Sequence, residues 1–353
     1  MVSLEKTAPR RLGFVDRYLS LWILLAMVLG VLLGQLVPGL PRLLGSLGSG
    51  STNIPMAIGL ILMMYPPLAK VRYEALPGLL RRPRLLAYTL LLNWLLAPLL
   101  MFALAALLLP DRPAYLQGLL LVGIAPCIAM VLVWIDLADG DREFAAGLVA
   151  INSLLQVLLF SAYAWVLLSV LPPLLGLQGV AIHIHMRQVA STVLLYLGTP
   201  LVAGFFTRLV LRRLRGDNWY TTRFLPTLAP LTPIALLATV VLMFSLQGEV
   251  LLQLPLDVLR IVLPLVLYFV AMFFLAFWLG RRAGGGYSQT AAMAFTASGN
   301  NFELAIAVSI GLFGLHSGQA LAAVVGPLVE VPVLLGLVYA ARYFARRYTW
   351  DMP

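Results

Sequence analysis

The chain has 353 residues, 61% hydrophobic and 11% charged, with a formal net charge of +10 and a mean hydropathy of +0.96. Those values exclude an ordinary soluble globular domain. The apolar runs are continuous instead of alternating every second residue, which also argues against a transmembrane β-barrel. The basic excess does not point to nucleic acid, because it sits at the ends of apolar runs with no polar domain to carry a binding face.

In chain order, Lys6, Arg10, Arg11 and Arg17 precede an apolar run that reaches about Val37 without a small-residue cleavage pattern, so it reads as a retained span and not a signal peptide. A helix needs about 20 residues to cross a hydrocarbon core roughly 30 Å thick. On that measure an all-α membrane protein of ten spans is predicted, near 19–37, 54–69, 85–109, 116–135, 145–171, 189–211, 226–246, 257–279, 288–313 and 318–341. With both termini cytoplasmic, 20 of the 24 Lys and Arg fall on the cytoplasmic side, and only Arg42, Arg112, Arg187 and Arg260 fall outside. That positive-inside bias sets the orientation and requires an even number of spans.

The sequence also repeats. Tyr115-x-Gln117 and Tyr287-x-Gln289 match at an offset of 172, and Ser153-Leu-Leu-Gln156-Val157 and Pro327-Leu-Val-Glu330-Val331 at 174. Residues 1–171 and 172–353 then form two five-span repeats. An odd number of spans per repeat places the two halves in opposite orientations, the plan of many secondary transporters.

Such transporters carry their site near the midplane, on paired broken helices. The fourth and ninth spans have the expected interruptions. In the fourth, Pro126 lacks an amide and clashes with the preceding turn, which predicts a break, and Cys127 follows it. In the ninth, Thr296-Ala-Ser298-Gly299-Asn300-Asn301-Phe302-Glu303 sets a polar patch with a glycine break into an apolar run, and the offset of 172 aligns Cys127 with Gly299. A carboxylate in mid-span costs on the order of 3 kcal/mol even on the lenient insertion scale, so Glu303 must face water or a partner. A group so placed suits the uptake and release of a proton; hydrogen bonding to a neighbouring helix is the plainer reading. Glu330, in the last span, is a second intramembrane acid open to either role.

Cys127 is the sole cysteine, so neither a disulfide within the chain nor a multi-thiolate site is available. A buried cysteine is commonly an inert small hydrophobe; beside a helix break it becomes a candidate ligand for a soft element. Ser298, Asn300 and Asn301 can line a cavity or satisfy loose backbone groups, and Asn152 and Gln156 read as interhelical glue. His183-x-His185 has a metal-like spacing but no acidic or thiol partner, and His316 reads as a loop residue. Among Asp136, Asp139, Asp141 and Glu143 the expectation is a solvated loop with an N-cap for the fifth span. No Gly-rich phosphate loop with Lys and Ser/Thr is present, so the chain is read as a non-enzyme without a cofactor, energised by a gradient, the membrane potential or a partner.

At Cys127-Ile-Ala-Met-Val-Leu-Val-Trp134, Asp141 with Ala150-Ile-Asn152-Ser153, Ser298-Gly-Asn-Asn-Phe-Glu303-Leu-Ala-Ile-Ala307 and Val325-Gly-Pro-Leu-Val-Glu330-Val-Pro-Val333, the sequence resembles the arsenical-resistance arsenite permeases of the bile acid, arsenite and riboflavin transporter superfamily. The resemblance runs from the first span to the last. It implies two inverted five-span repeats interleaved into a panel and a core domain, with crossed discontinuous helices in the fourth and ninth spans. It further implies arsenite export, with antimonite in some members, through the residues matching Cys127 and Glu303. Pro126 stands where arginine is frequent in the family, and Ile135 where a polar residue is common, which leaves the cargo preference open. The reading from these features is a proton-coupled arsenite antiporter in a bacterial cytoplasmic membrane, in contact with lipid. The rival is a sodium-coupled symporter of an organic anion, in which Asn300, Asn301 and Glu303 would hold sodium with hard oxygen ligands. A membrane sensor that binds without translocating is a third reading.

Overall fold

A computed structural model of the protein describes residues 18–37, 39, 48, 49, 52–177, 185–251, 255–314 and 317–350. Lys6, Arg10, Arg11, Arg17, Arg42, His183 and His316 lie outside them. Apart from a two-residue antiparallel pairing of Gly48–Ser49 with Thr52–Asn53, the described residues form helices and their connections.

The helices are α1 (Leu19–Leu36), α2 (Ile54–Ala69), α3 (Pro83–Leu108), α4 (Pro113–Ile124), α5 (Val131–Leu137), α6 (Arg142–Leu174), α7 (Met186–Arg215), α8 (Leu231–Leu251), α9 (Pro255–Arg282), α10 (Tyr287–Ser298), α11 (Phe302–Phe313) and α12 (Gly318–Arg347). Six helical stretches among the described residues are long and apolar enough to cross a membrane, and α1, α2, α4 and α11 contribute shorter apolar helices. The seventh expected span begins earlier than its hydropathy suggests. Its apolar part is preceded by a polar helical lead-in from Asp217, which a search for apolar windows passes over.

Proline shapes several of these helices. The wider turns Leu92–Leu96, Val166–Val170, Leu194–Gly198 and Tyr220–Phe224 each end two residues before a proline: Pro98, Pro172, Pro200 and Pro226. A proline inside a helix has no amide to donate, and its ring collides with the carbonyl four residues back. In all four cases that carbonyl belongs to the wide turn, which moves it aside and lets the helix continue.

Two groups of helices result. α1 packs along α8, and α2 packs between α8 and α7. In the other group α4 packs on α3 and α12, α9 on α10 and α12, and α11 on α12, while α6 packs against the N-terminal part of α7. The α1–α8 contact depends on small residues. A Cβ on Gly30 would lie 2.6 Å from the Val241 carbonyl oxygen, and one on Gly34 would lie 2.3 Å from that of Ser245. This is the small-xxx-small spacing by which helices approach closely in lipid, where no hydrophobic force drives them together. The opposite face of α1, with Leu21, Leu25, Val28 and Leu32, is about half exposed, as suits a side turned to lipid.

Charge is sorted along the helices. Arg212, Arg213 and Arg215 end α7, Arg281 and Arg282 end α9, and Arg346 and Arg347 end α12. Arg112 and Arg260, which the sequence sets apart from the basic majority, meet acids. Arg112 lies 3.6 Å from Asp257 and Arg260 2.6 Å from Asp111, and Tyr115 donates to Asp257 at 2.9 Å. Hydrogen bonding to Arg260, helped by the charge of that residue and of Arg112, holds the Asp111 carboxyl below its ordinary range. Neutralisation by acids explains how these two arginines coexist with the bias of the other basic residues. Arg187 is exposed at the start of α7.

Gly34→Leu is expected to wedge α1 from α8 at a cost of about 1–3 kcal/mol or more. The melting temperature of the purified protein in detergent should fall by several degrees; an unchanged value would contradict the glycine contact.

Candidate functional site at the crossed helix breaks

α4 ends at Ile124, Ala125 is extended (φ −109°, ψ 114°), and helix resumes at Val131. α10 ends at Ser298, Gly299 is extended (φ −82°, ψ 146°), and helix resumes at Phe302. The two extended stretches cross as a single antiparallel bridge between Pro126 and Asn300. The Cys127 amide donates to the Gly299 carbonyl at 2.9 Å, and the Asn301 amide to the Ala125 carbonyl at 2.8 Å. Each broken helix therefore satisfies the other's freed backbone groups, which buried polar groups without water require.

The pattern has local two-fold symmetry. An offset of 174 exchanges Pro126 with Asn300 and converts one crossing hydrogen bond into the other. The same offset relates both ends of the equal-length helices α4 and α10. At the crossing Cys127 is thus matched with Asn301, not with Gly299 as the offset of 172 has it.

Side chains complete the junction. The Gln156 amide donates to the Pro126 carbonyl at 2.6 Å, and its oxygen accepts from Asn301 Nδ2 at 2.7 Å. Asn301 Oδ1 accepts from the Leu304 amide at 3.1 Å and caps α11, so both ends of its side chain are engaged. Asn300 Nδ2 donates to the Val122 carbonyl at 3.0 Å and meets the Tyr268 hydroxyl at 3.3 Å, while Oδ1, also buried, has no protein partner. The Ser298 hydroxyl lies 3.5 Å from the carbonyl of Phe295. Asn152 accepts from Trp94 Nε1 at 3.1 Å, so it and Gln156 both join helices, as their sequence suggests.

Cys127 is 2% exposed and its sulfur faces the main-chain amides of Ala129 and Val131. Glu303 lies in the first turn of α11 and is partly buried. Glu330, on α12, is 3% exposed and keeps Oε1 buried without a partner. Glu303 and Glu330 are the two acids of this part of the bundle. Neither is within ion-pair distance of a basic side chain among the described residues. Gly299 makes the approach possible: a Cβ there would lie 3.0 Å from that of Cys127 and 3.3 Å from Glu330 Oε1. A second close fit supports the floor, since a Cβ on Gly326 would fall 1.7 Å from the Phe302 ring. The junction brings one thiol, two acids and the unpartnered oxygens of Asn300 and Glu330 into one buried region, a donor set with both soft and hard character.

Other candidates lie apart. Among the described residues no group of three His, Cys, Asp or Glu is placed to hold a metal, and His185 is an exposed residue at the start of α7. Asp141 caps α6 through bonds from the Glu143 and Phe144 amides at 3.1 and 2.9 Å. Ile135 is fully buried against the turn at Gly140, whose Cβ would lie 2.7 Å from its side chain. Sequence reasoning passed over Tyr268, whose only signal was a hydroxyl within an apolar run. The clamp made by Gln156 was legible only as general polarity in the fifth span.

Replacing Gln156 with Leu would leave the Pro126 carbonyl and the Asn301 amide without partners, at about 1–3 kcal/mol for each. A marked fall in melting temperature is expected, and a wild-type value would exclude the clamp.

The sequence model of the Sodium Bile acid symporter family matches residues 57–254. The arsenical-resistance protein Acr3 of Corynebacterium glutamicum is 50% identical over 335 residues, covering 95% of this chain and 90% of that protein. The arsenical-resistance protein Acr3 of Alkaliphilus metalliredigens is 35% identical over 337 residues, covering 93% and 92%. An uncharacterized transporter of Synechocystis sp. is 34% identical over 346 residues, covering 93% and 88%. A family match over more than half the chain, and relatives aligned almost end to end with helices of membrane-spanning length, make this chain a multi-pass membrane transporter that belongs to the arsenical-resistance permease family.

Proposed function

We propose that this protein exports arsenite across the cytoplasmic membrane in exchange for protons, and accepts antimonite by the same coordination chemistry. The observation that carries the reading is the sole thiol of the chain, Cys127, buried at the crossing of two broken helices, with Glu330 Oε1 beside the same glycine, Gly299. Uncharged arsenous acid would exchange one hydroxyl for the Cys127 sulfur, and one soft bond supplemented by hydroxyl contacts can be released where several would trap the cargo. Asn300 Oδ1 and the Ser298 hydroxyl are the nearby oxygen contacts. Asn301 supports the pocket from the cap of α11. A proton taken up by Glu303 or Glu330 would favour release to the outside.

The architecture that goes with this function is ten spans in two inverted repeats, residues 1–171 and 172–353, with both termini cytoplasmic. α1, α2, α7 and α8 would form a panel, and the remaining helices a core that rocks against it. The two-fold pattern at the crossing supports the repeats, and the 174 offset also relates Trp94 to Tyr268, each hydrogen-bonded to an asparagine of the junction. The two arsenical-resistance relatives, aligned almost end to end, favour arsenite over the sodium-coupled anion reading.

Arsenite accumulation in energised everted vesicles tests the proposal. Cys127→Ala is expected to reduce uptake to background with expression and melting temperature intact, and wild-type uptake in that variant would exclude the thiol step. Uptake that requires sodium would transfer the protein to the anion symporters. Glu303→Gln is expected to retain arsenite binding while losing the dependence of flux on the pH gradient; a dependence equal to wild type would remove Glu303 from coupling.

A further inference from the structure

The 174 offset that exchanges Pro126 with Asn300 also carries Gln156 onto Glu330 and Asn301 onto Cys127. In one half of the junction Gln156 reaches across the break, bonding the carbonyl of Pro126 and the side chain of Asn301. In the other half Glu330 takes the equivalent place. Its buried Oε1 has no partner and lies 3.3 Å from where a Cβ on Gly299 would stand, and the Cys127 Cβ lies 3.0 Å from the same point. One half is a lock between two amides, with every group engaged. Its mate holds a thiol and a carboxyl, with a buried oxygen unengaged.

We infer that Glu330 is the positioning partner and proton acceptor of Cys127, in the place where the opposite repeat has the Gln156–Asn301 lock. The inference rests on the reading of Cys127 as the ligand of arsenite. As the sulfur–arsenic bond forms and an arsenic–oxygen bond breaks, the thiol proton passes to the Glu330 carboxylate and from there to the departing hydroxide, which leaves as water. No oxidant or reductant is consumed. Glu303 on α11 and Tyr268 on α9 are the other titratable groups facing this pair. A carboxylate that acted only through its charge would disfavour the thiolate and slow nothing by its removal, whereas a proton acceptor speeds the reaction of the thiol at neutral pH.

The test uses the full-length protein in detergent and the rate at which methyl methanethiosulfonate, a small neutral reagent, modifies its single thiol across a range of pH. Wild type should show an inflection where Glu330 ionises, below the ordinary thiol range, and a plateau above it. Glu330→Gln should react roughly 10²-fold more slowly at pH 7, with a rate that climbs about tenfold per pH unit towards the ordinary thiol range; Glu330→Asp should restore part of the plateau. A Glu330→Gln protein that reacts as fast as wild type, or faster, overturns the assignment. So does a wild-type profile with a single inflection in the ordinary thiol range, a result that needs no variant to fold. Because the readout contains no arsenic, the pair can stand while arsenite flux fails, and arsenite flux can stand while the pair fails.

Discussion

Inside a membrane every backbone amide and carbonyl needs a partner from the protein itself, and the crossing at Pro126 and Asn300 is where this constraint is most severe. Two helices are interrupted there, and each interruption frees groups that a single helix could not satisfy. The hydrogen bonds between Cys127 and Gly299 and between Asn301 and Ala125 satisfy one break with the other. Neither break is tenable alone. The neighbouring features follow from that dependence: Gln156 from α6 secures one side, Tyr268 from α9 and Glu330 from α12 reach the other, and Gly299 leaves room for them.

The rest of the molecule supports this junction with a different solution to the same constraint. Four prolines are accommodated by wide turns that keep their helices continuous, whereas Pro126 ends α4. The difference lies in what stands opposite. At Pro126 an extended partner segment supplies the missing hydrogen bonds, so an open backbone is tolerated. Among the described residues the other four face no such extended partner, and the local helix absorbs the defect.

The junction is symmetric in its backbone and asymmetric in its side chains. Equivalent positions carry asparagine and cysteine, and glutamine and glutamate, so a shared geometry holds a fully bonded amide pair on one side and a thiol with acids on the other. On the proposed reading, that division separates holding the site together from acting on a solute, and a single thiol can suffice because its surroundings are ordered by groups that need not touch the cargo.

Much of this was legible in the sequence. Hydropathy located most of the helices to within a few residues, the seventh being the exception, because about 20 apolar residues in lipid have little choice but helix. Pro126 and the Ser298-Gly299-Asn300-Asn301 run marked irregular backbone, since proline lacks an amide and a polar patch in mid-span requires an internal partner. Cys127, Glu303 and Glu330 stood out by rarity and place. What the sequence did not hold was the pairing. Two short matches, at 172 and 174, could not fix which residue faces which, and only the bridge between Pro126 and Asn300 set the register. The partners of Arg112 and Arg260, the clamp by Gln156 and the hydroxyl of Tyr268 were decided in the same way. They join residues up to 149 positions apart. Local composition dictates where a helix forms and where it must break, but contacts over such separations exist only once the chain has packed.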